Sequence, residues 1–562
     1  MLLMCLLAAE AADAMDCEQL TALPLETARI TTARSMEGGV FTEDTNVGRP
    51  GRTYQGLGSF CRVRGVATPA PASEIEFEVW LPQKKDWTHR LHMVGNGAYS
   101  SNIYYAQMVA RLHDGDVGVA TNTGHKGSDL TFAIGHPERI VDFAYRAVHE
   151  SVVAAKAITQ AYYGEAPSHS YFSGCSTGGY QGLAAAQRYP EDFNGIIAGA
   201  PGNNRSHLNM AFLWNYLANH AHGDDTAPIL NVSDLGLINQ AVIKSCDSED
   251  GVADGVINDP RRCHFKLQTL QCRNASGPGS RQGPGCLTAA QIAAAQRIYA
   301  GPRDARNGVQ IYPGFPFGSE GVMSGPNDRH PGWSAYWASD AGTEPDRADF
   351  FRYWVFDQPD WSWWKFDWGA DVDAVDRRIA TVFNATSPDL SRFRAAGGKL
   401  LMFMGWQDPV GAPEEAINYY QAVESRSSAQ SATARRDDTQ TFLRLFMVPG
   451  MGHCAGGPGA THFSTATRDS EPPVSDRKHD MARALEAWVE TGTAPEELIA
   501  TRFEEAPPNP TPSTSASVPA ARRSIAFQRP LCVFPQVARY NGGPTTAADS
   551  FSCVMPSDVQ RY

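Results

Sequence analysis

The sequence predicts an α/β fold, a mostly parallel sheet covered by helices on both faces and split by one long insertion. Three observations carry this. Short apolar strands alternate with helical runs up to residue 202 and again after residue 393. One strand runs through a glycine-framed serine, Gly174-Cys175-Ser176-Thr177-Gly178, straight into a helix. Between the two halves, residues 203–392 lose the rhythm and carry four cysteines, acidic loops and a dense aromatic stretch.

The elements follow in order. The apolar opening, ending at Ala12-Asp13-Ala14, reads as a short secretory leader over 1–14, although it lacks a basic start. Residues 75–81 alternate as a strand. A second strand, 90–94, ends in Gly95-Asn96-Gly97, and a third covers 117–120. A helix spans 142–163. Residues 170–173 form the strand before the serine, and the helix 180–188 after it stops at Pro190. Residues 196–198 are a buried strand closed by Gly199-Ala200-Pro201-Gly202. The sheet resumes at 399–404. A polar stretch over 425–440 precedes a strand at 441–448, and a helix follows at 478–491. Residues 505–519, rich in Pro, Ser and Thr, read as a surface loop.

This divides the chain into the leader 1–14, a first core segment 15–202, an inserted lid 203–392 and a second core segment 393–562. An insertion at this point belongs over the C-terminal strand ends, where such sheets place their chemistry.

Bulk properties narrow the function. The chain has 562 residues, 42% hydrophobic, and a formal charge of -13 without a long Lys/Arg block, which argues against a nucleic-acid surface. There are 11 cysteines. Removing the leader with Cys5 leaves an even set, which suits disulfides and an oxidising compartment, secreted or periplasmic. The competing reading is a cytosolic enzyme with scattered thiols. No later run is apolar enough to span a membrane.

The framed serine is a nucleophile elbow, a sharp strand-to-helix turn that lifts the hydroxyl clear of its backbone. Ser176 then needs an acid and a base, in the chain order Ser, Asp, His of an α/β-hydrolase. Asp408 follows the 399–404 strand, and His453 lies in a glycine-rich loop after the next. Asp408 as a plain turn residue, and His453 as a structural surface histidine, are the bland alternatives. His125 precedes the serine and reads as a pocket or packing residue. Cys175 and Cys454 adjoin Ser176 and His453. If serine and histidine meet, these sulfurs meet too, and a disulfide would fix the imidazole against the hydroxyl. Cys175 as nucleophile is the rival reading; it lies on the wrong side of the elbow apex. The oxyanion calls for two backbone N–H groups, assigned to Thr177 and Gly97. The Gly95–Gly97 glycines could equally serve a tight turn alone.

A further motif is the acidic loop Cys246-Asp247-Ser248-Glu249-Asp250-Gly251-Val252-Ala253-Asp254-Gly255-Val256, followed by Asp259. Carboxylates among glycines suit Ca²⁺, though the glutamate that closes an EF-hand is missing. A solvated acidic turn is the alternative.

The Cys175-Ser176, Asp408 and His453-Cys454 set resembles the CS–D–HC arrangement of the tannase and feruloyl esterase family, which also includes terephthalate mono-ester hydrolases. The resemblance runs from Cys17 to Cys553 and includes Thr123-Gly124-His125, Gly332-Trp333 with Trp337, and residues 356–368. It implies an α/β-hydrolase core with a large inserted lid, a catalytic disulfide, and a structural calcium held by Asp247, Asp250, Asp254 and the carbonyls of Val252 and Val256. It also implies the pairs Cys17–Cys61, Cys246–Cys263, Cys272–Cys286 and Cys532–Cys553. The chain departs from the family at Gly97-Ala98-Tyr99, where relatives often carry Gly-Gly-Phe, and this leaves the second oxyanion donor open.

The expected activity is serine ester hydrolysis releasing aromatic acids such as ferulate from hydroxycinnamoyl esters. The substrate would be a small aromatic ester or one derived from a plant polymer, with no nucleic-acid or membrane partner. Galloyl esters and a terephthalate mono-ester compete as substrates. An inactive, secreted aromatic-ester-binding protein is the reading from another class. The tryptophans Trp333, Trp337, Trp354, Trp361, Trp363, Trp364 and Trp368 are expected to form mostly the lid core, with one or two at the pocket.

Overall fold

A computed structural model describes residues 14–43, 51–272, 285–322, 332–336, 343–466, 470–504 and 523–556. The predicted leader before Ala14, Trp337 and the 505–519 loop lie outside the described residues.

Nine strands form the main sheet. We number them β1 (Ala28–Met36), β2 (Phe60–Ala67), β3 (Ile75–Pro82), β4 (Arg90–Val94), β5 (Val117–Thr121), β6 (His169–Cys175), β7 (Gly195–Gly199), β8 (Lys399–Gly405) and β9 (Leu443–Val448). Their spatial order is β1-β2-β3-β5-β4-β6-β7-β8-β9. The first three strands pair antiparallel, and β3 joins β5 antiparallel. From β5 onward every pairing is parallel. Parallel strands need crossovers, and helices supply them.

The longer helices are α1 (Tyr105–His113), α2 (Ala147–Tyr163), α3 (Thr177–Arg188), α4 (Arg205–Ala218), α5 (Val232–Cys246), α6 (Ala289–Ala300), α7 (Pro413–Glu424), α8 (Ala432–Thr439) and α9 (Met481–Thr491). A π-turn over Asp142–Arg146 leads into α2, so the helix predicted from 142 is present with one wider turn. Gly164 ends it in the left-handed region, where glycine carries no Cβ penalty.

Some boundaries differ from expectation for local reasons. The last helix begins at Met481, not at 478, because the Asp480 carboxylate caps the Ala482 N–H. The polar stretch 425–440 contains α8, started by the Ser431 side chain accepting from Ala434 N–H. The strand expected from 441 begins at Leu443. The alternation of β3 does not mark a solvent face. Glu78 is 2% exposed and bonds Arg62 (2.7 Å), Tyr105 (2.8 Å) and Trp80 (3.0 Å). A buried carboxylate is tolerated when paired in this way.

The predicted interruption is real as a chain path. β7 and β8 are hydrogen-bonded neighbours, yet residues 200–398 lie between them. This insertion holds α4, α5 and α6 and several short turns. Capping boxes start two of its helices: Asn231 with Asp234, and Thr288 with Gln291. A C-terminal pair, β10 (Glu497–Phe503) with β11 (Ile525–Cys532), and a hairpin, β12 (Val537–Tyr540) with β13 (Phe551–Val554), complete the fold.

Five disulfides are present: Cys17–Cys61, Cys175–Cys454, Cys246–Cys263, Cys272–Cys286 and Cys532–Cys553. They are the pairs that the family resemblance implies. No helix among the described residues is long and apolar enough to cross a membrane.

Candidate active site

The site is assembled at the C-terminal ends of β4, β6, β7, β8 and β9. β6 ends at Cys175, and Ser176 follows with φ +62° and ψ −119° before α3 begins. That conformation is strained for a residue with a side chain. The close approach of Gly174 to Gly178 makes the turn possible: a Cβ on Gly174 would lie 2.6 Å from the Gly178 Cα. Ser176 N–H donates to Gly199 O (3.0 Å), which ties the elbow to the end of β7. Four more non-glycine residues adopt positive φ in the strand-end loops: Ala98 (47°), Thr123 (60°), Ala200 (36°) and Cys454 (67°).

Asp408 lies just beyond β8 and is 0% exposed. Its Oδ1 accepts from the N–H groups of Val410 (2.8 Å) and Gly411 (3.1 Å). Its Oδ2 accepts from His453 Nδ1 at 2.7 Å. The carboxylate is thereby fixed by its own loop before it meets the imidazole. Backbone bonds join the two loops as well: Trp406 N–H to Val448 O (2.9 Å) and Gln407 N–H to Met451 O (3.0 Å). Cys175 and Cys454 are bonded, with Cα atoms 5.9 Å apart. The structure therefore brings the residue before Ser176 and the residue after His453 into covalent contact. A disulfide-bonded Cys175 carries no nucleophilic thiolate.

Of the two oxyanion candidates, Thr177 N–H stands at the first turn of α3 and Gly97 lies in the loop after β4. Among the described residues, neither N–H has an acceptor within the protein. The neighbouring Asn96 N–H is already taken by Gln181 Oε1 (3.0 Å). Thr177 Oγ1 donates to Ala98 O at 2.6 Å, so the elbow and the β4 loop are directly linked. His125, in the loop after β5, packs against that loop. It is buried, stacked on Phe132 at 4.1 Å, and bonded to Tyr99 O (2.7 Å). Burial lowers its pKa below the usual histidine value.

The insertion reaches this face at several places, two of them beside Thr177 and Asp408. Arg205 at the start of α4 donates to Thr177 Oγ1 (3.0 Å). Tyr312, with Leu208 and Phe212, packs against Val410 and Ala412 beside Asp408. No local sequence signal marks Arg205, because its neighbours come from four distant segments. The tryptophans are mostly structural. Trp333 and Trp354 are 1% and 2% exposed, and Trp354 Nε1 donates to Leu130 O of the core (2.8 Å). Trp363 and Trp364 both donate to Asp225, while Trp361 and Trp368 are half-buried in the same cluster.

The acidic loop, where the sequence suggests calcium, is closed by its own hydrogen bonds. Asp247 Oδ1 accepts from the N–H groups of Asp254 (3.1 Å), Gly255 (2.8 Å) and Val256 (3.1 Å). Asp254 Oδ2 pairs with Arg529 (2.5 Å). Among the described residues, no three His, Cys, Asp or Glu side chains are grouped tightly enough to hold a metal by themselves. The loop's own N–H groups and Arg529 occupy oxygens that a three-carboxylate cage would present. A mixed set that includes the Val252 and Val256 carbonyls fits the chemistry of the loop. Burial pushes the Asp250 carboxyl up to about 6, and the Asp254 and Asp247 carboxylates add to the shift. The loop shares a cleft with Pro449, Gly459, Phe527 and Arg529, so it borders the loop that carries His453.

Comparison with known proteins identifies the family. A family model described as "Tannase and feruloyl esterase" matches residues 61–554. An uncharacterized esterase of Xanthomonas campestris pv. campestris is 37% identical over 96% of this chain and 91% of its own length. A probable feruloyl esterase B-2 of Aspergillus terreus is 31% identical over 94% of this chain and 93% of its own. The crystal structure of feruloyl esterase B from Aspergillus oryzae superposes with a TM-score of 0.82 at 27% identity, covering 96% of this chain and 99% of that one. With an α/β-hydrolase core carrying one insertion and a family match across most of its length, the chain belongs to the tannase and feruloyl esterase family of carboxylic ester hydrolases.

Proposed function

We propose that this protein is a secreted or periplasmic serine esterase that releases aromatic acids such as ferulate from hydroxycinnamoyl esters. One observation carries the reading: Asp408 bonds at 2.7 Å to His453, on a loop that the Cys175–Cys454 disulfide fastens to the Ser176 elbow. The named feruloyl esterases among its relatives favour this acyl class.

In the proposed mechanism Asp408 holds the His453 tautomer with its proton on Nδ1, which puts the basic lone pair on Nε2. His453 takes the Ser176 proton as the serine oxygen attacks the ester carbonyl. The N–H groups of Thr177 and Gly97 receive the tetrahedral oxyanion. The alcohol leaves with the proton from His453. Water, deprotonated by the same imidazole, then releases the acid from Ser176. The insertion serves as a lid over these loops and supplies the acyl pocket. A calcium ion in the acidic loop would be held by Asp247, Asp250, Asp254 and the carbonyls of Val252 and Val256. When bound it would supply charge balance and loop shape, not chemistry.

The test is a rate comparison of the purified protein on methyl ferulate, methyl gallate and a terephthalate mono-ester. A clear preference for ferulate is expected, and near-equal rates would remove the acyl assignment. Loss of all activity in Ser176→Ala separates an esterase from an inactive binding protein.

A further inference from the structure

Arg205 is an unusual residue to bury. Its side chain opens α4, the first helix of the insertion, and the residue is 3% exposed. No carboxylate pairs with it among the described residues, and its Nε and Nη2 atoms have no hydrogen-bond partner. Four aromatic rings surround the guanidinium: Tyr180 at 5.0 Å, Tyr99 at 5.1 Å, Phe383 at 5.3 Å and Phe143 at 5.6 Å. Cation–π contact offsets part of the desolvation. An apolar side chain would fill this box more cheaply, since replacing buried charge by well-packed hydrophobic groups is often neutral or stabilising. Stability therefore does not explain the arginine.

Its directed bond to the elbow does. Arg205 Nη1 donates to Thr177 Oγ1 (3.0 Å). Guanidinium is donor-only and stays protonated. Thr177 Oγ1 must accept on that side, so its single proton is directed to Ala98 O, which it reaches at 2.6 Å. Ala98 is strained at φ +47°, and the next carbonyl, Tyr99 O, takes His125 Nε2 at 2.7 Å. Both carbonyls are thereby held in place, and the turn they belong to is closed at Gly97 itself, whose carbonyl takes Ser100 N–H (3.0 Å).

We propose that Arg205 is a positioning residue for the oxyanion hole, acting through the Thr177 hydroxyl and the Ala98 carbonyl to lock the two backbone donors, Thr177 N–H and Gly97 N–H, in one geometry. The proposal rests on the serine esterase reading above. It gives the insertion a part in the chemical step as well as in substrate selection, because the first residue of its first helix closes the relay.

The experiment compares Arg205→Met, Arg205→Lys, Thr177→Val and the Met/Val double variant on an aryl ester. We expect kcat to fall about 10- to 100-fold in Arg205→Met and Thr177→Val with KM little changed. Affinity for an aryl boronic acid, which mimics the tetrahedral state, should fall in parallel, while affinity for the product acid stays level. Arg205→Lys should recover part of the loss. The double variant should be no slower than the slower single variant, because both break one relay. The Tm of Arg205→Met should hold or rise. Wild-type-like kcat in folded Arg205→Met or Thr177→Val overturns the proposal. So does a loss of kcat that tracks Tm and adds in the double variant. Should Arg205→Met fail to fold, Thr177→Val decides alone. A wild-type protein with no Ser176-dependent hydrolysis removes the esterase reading and this proposal together; an active wild type with active variants removes only this proposal.

Discussion

The sheet and the insertion bury their residues by different means. In β8, Leu400, Leu401, Met402 and Phe403 are all 0% exposed, and both neighbouring strands pair with the segment in continuous register. The insertion has no comparable ladder among the described residues. It relies on capped helices, two disulfides closing separations of 17 and 14 residues, and stacked aromatics such as Trp333 on Phe315. A ladder fixes the position of a loop at its end to a fraction of an ångström. A patchwork of caps and rings tolerates change. The proposed chemistry sits on the ladder, and the proposed specificity sits on the patchwork.

If that division is right, the largest effects come from single atoms at strand ends. Ser176→Ala should abolish turnover, a loss of about 10⁴-fold or more, with Tm unchanged. Asp408→Asn should cost a similar factor, about 10⁴-fold, because an amide presents the wrong partner to His453 Nδ1. Steady-state kinetics with a thermal melt decides both. Activity within tenfold of wild type in either variant would break the assignment of chemistry to the sheet.

The next effect belongs to the clasp between β6 and β9. Replacing both Cys175 and Cys454 by Ser should lower kcat about 10²-fold in protein that is still folded, since a displacement of about 1 Å in the imidazole costs that much. Tm should also fall, because the link spans 279 residues and constrains the unfolded chain. A Tm loss with full activity well below the transition would show that the backbone bonds from Trp406 and Gln407 position His453 without the disulfide.

The two regions also differ in how far they can be read from sequence. Gly174–Gly178 is legible because its glycines answer a local steric demand, and β8 is legible as an unbroken apolar run. Asp408 and His453 are legible because each follows such a run directly. β1 and β2 are not: antiparallel strands at the sheet edge mix Arg29, Arg34, Arg62 and Arg64 with their apolar residues, and the pattern blurs. α1 and α7 are missed as well. Arg205 is invisible for another reason. Its meaning depends on Tyr99, Phe143, Tyr180 and Phe383, which only the folded chain gathers. Arg529 meets Asp254 across 275 residues in the same way.

A smaller effect should follow from the acidic loop. Exhaustive chelation is expected to lower Tm by a few degrees and leave kcat at low temperature unchanged, as a cation that only balances Asp250 and its neighbours requires. Metal analysis of the untreated protein should find about one calcium per chain. An unchanged melt with no bound metal would remove calcium and leave Arg529 as the counter-charge. A fall in kcat without a fall in Tm would instead mean that the loop acts on its neighbour, the His453 loop.

The smallest effect tests the patchwork itself. Asn231 caps α5: its Oδ1 accepts from Ser233 (2.9 Å) and Asp234 (3.2 Å), and Asp234 returns a bond to Asn231 N–H (3.0 Å). Asn231→Ala removes the side-chain half of this box and should cost about 1 kcal/mol. In a chain this long the global Tm should move by only about 1 °C. Hydrogen exchange, which resolves local opening, should show faster exchange in α5 while β8 and β9 remain protected. The kcat should not change, because no bond of the box reaches α4 or Arg205. Equal acceleration across α5 and β8 would mean that insertion and sheet unfold as one unit, and the difference in construction would then carry no difference in stability.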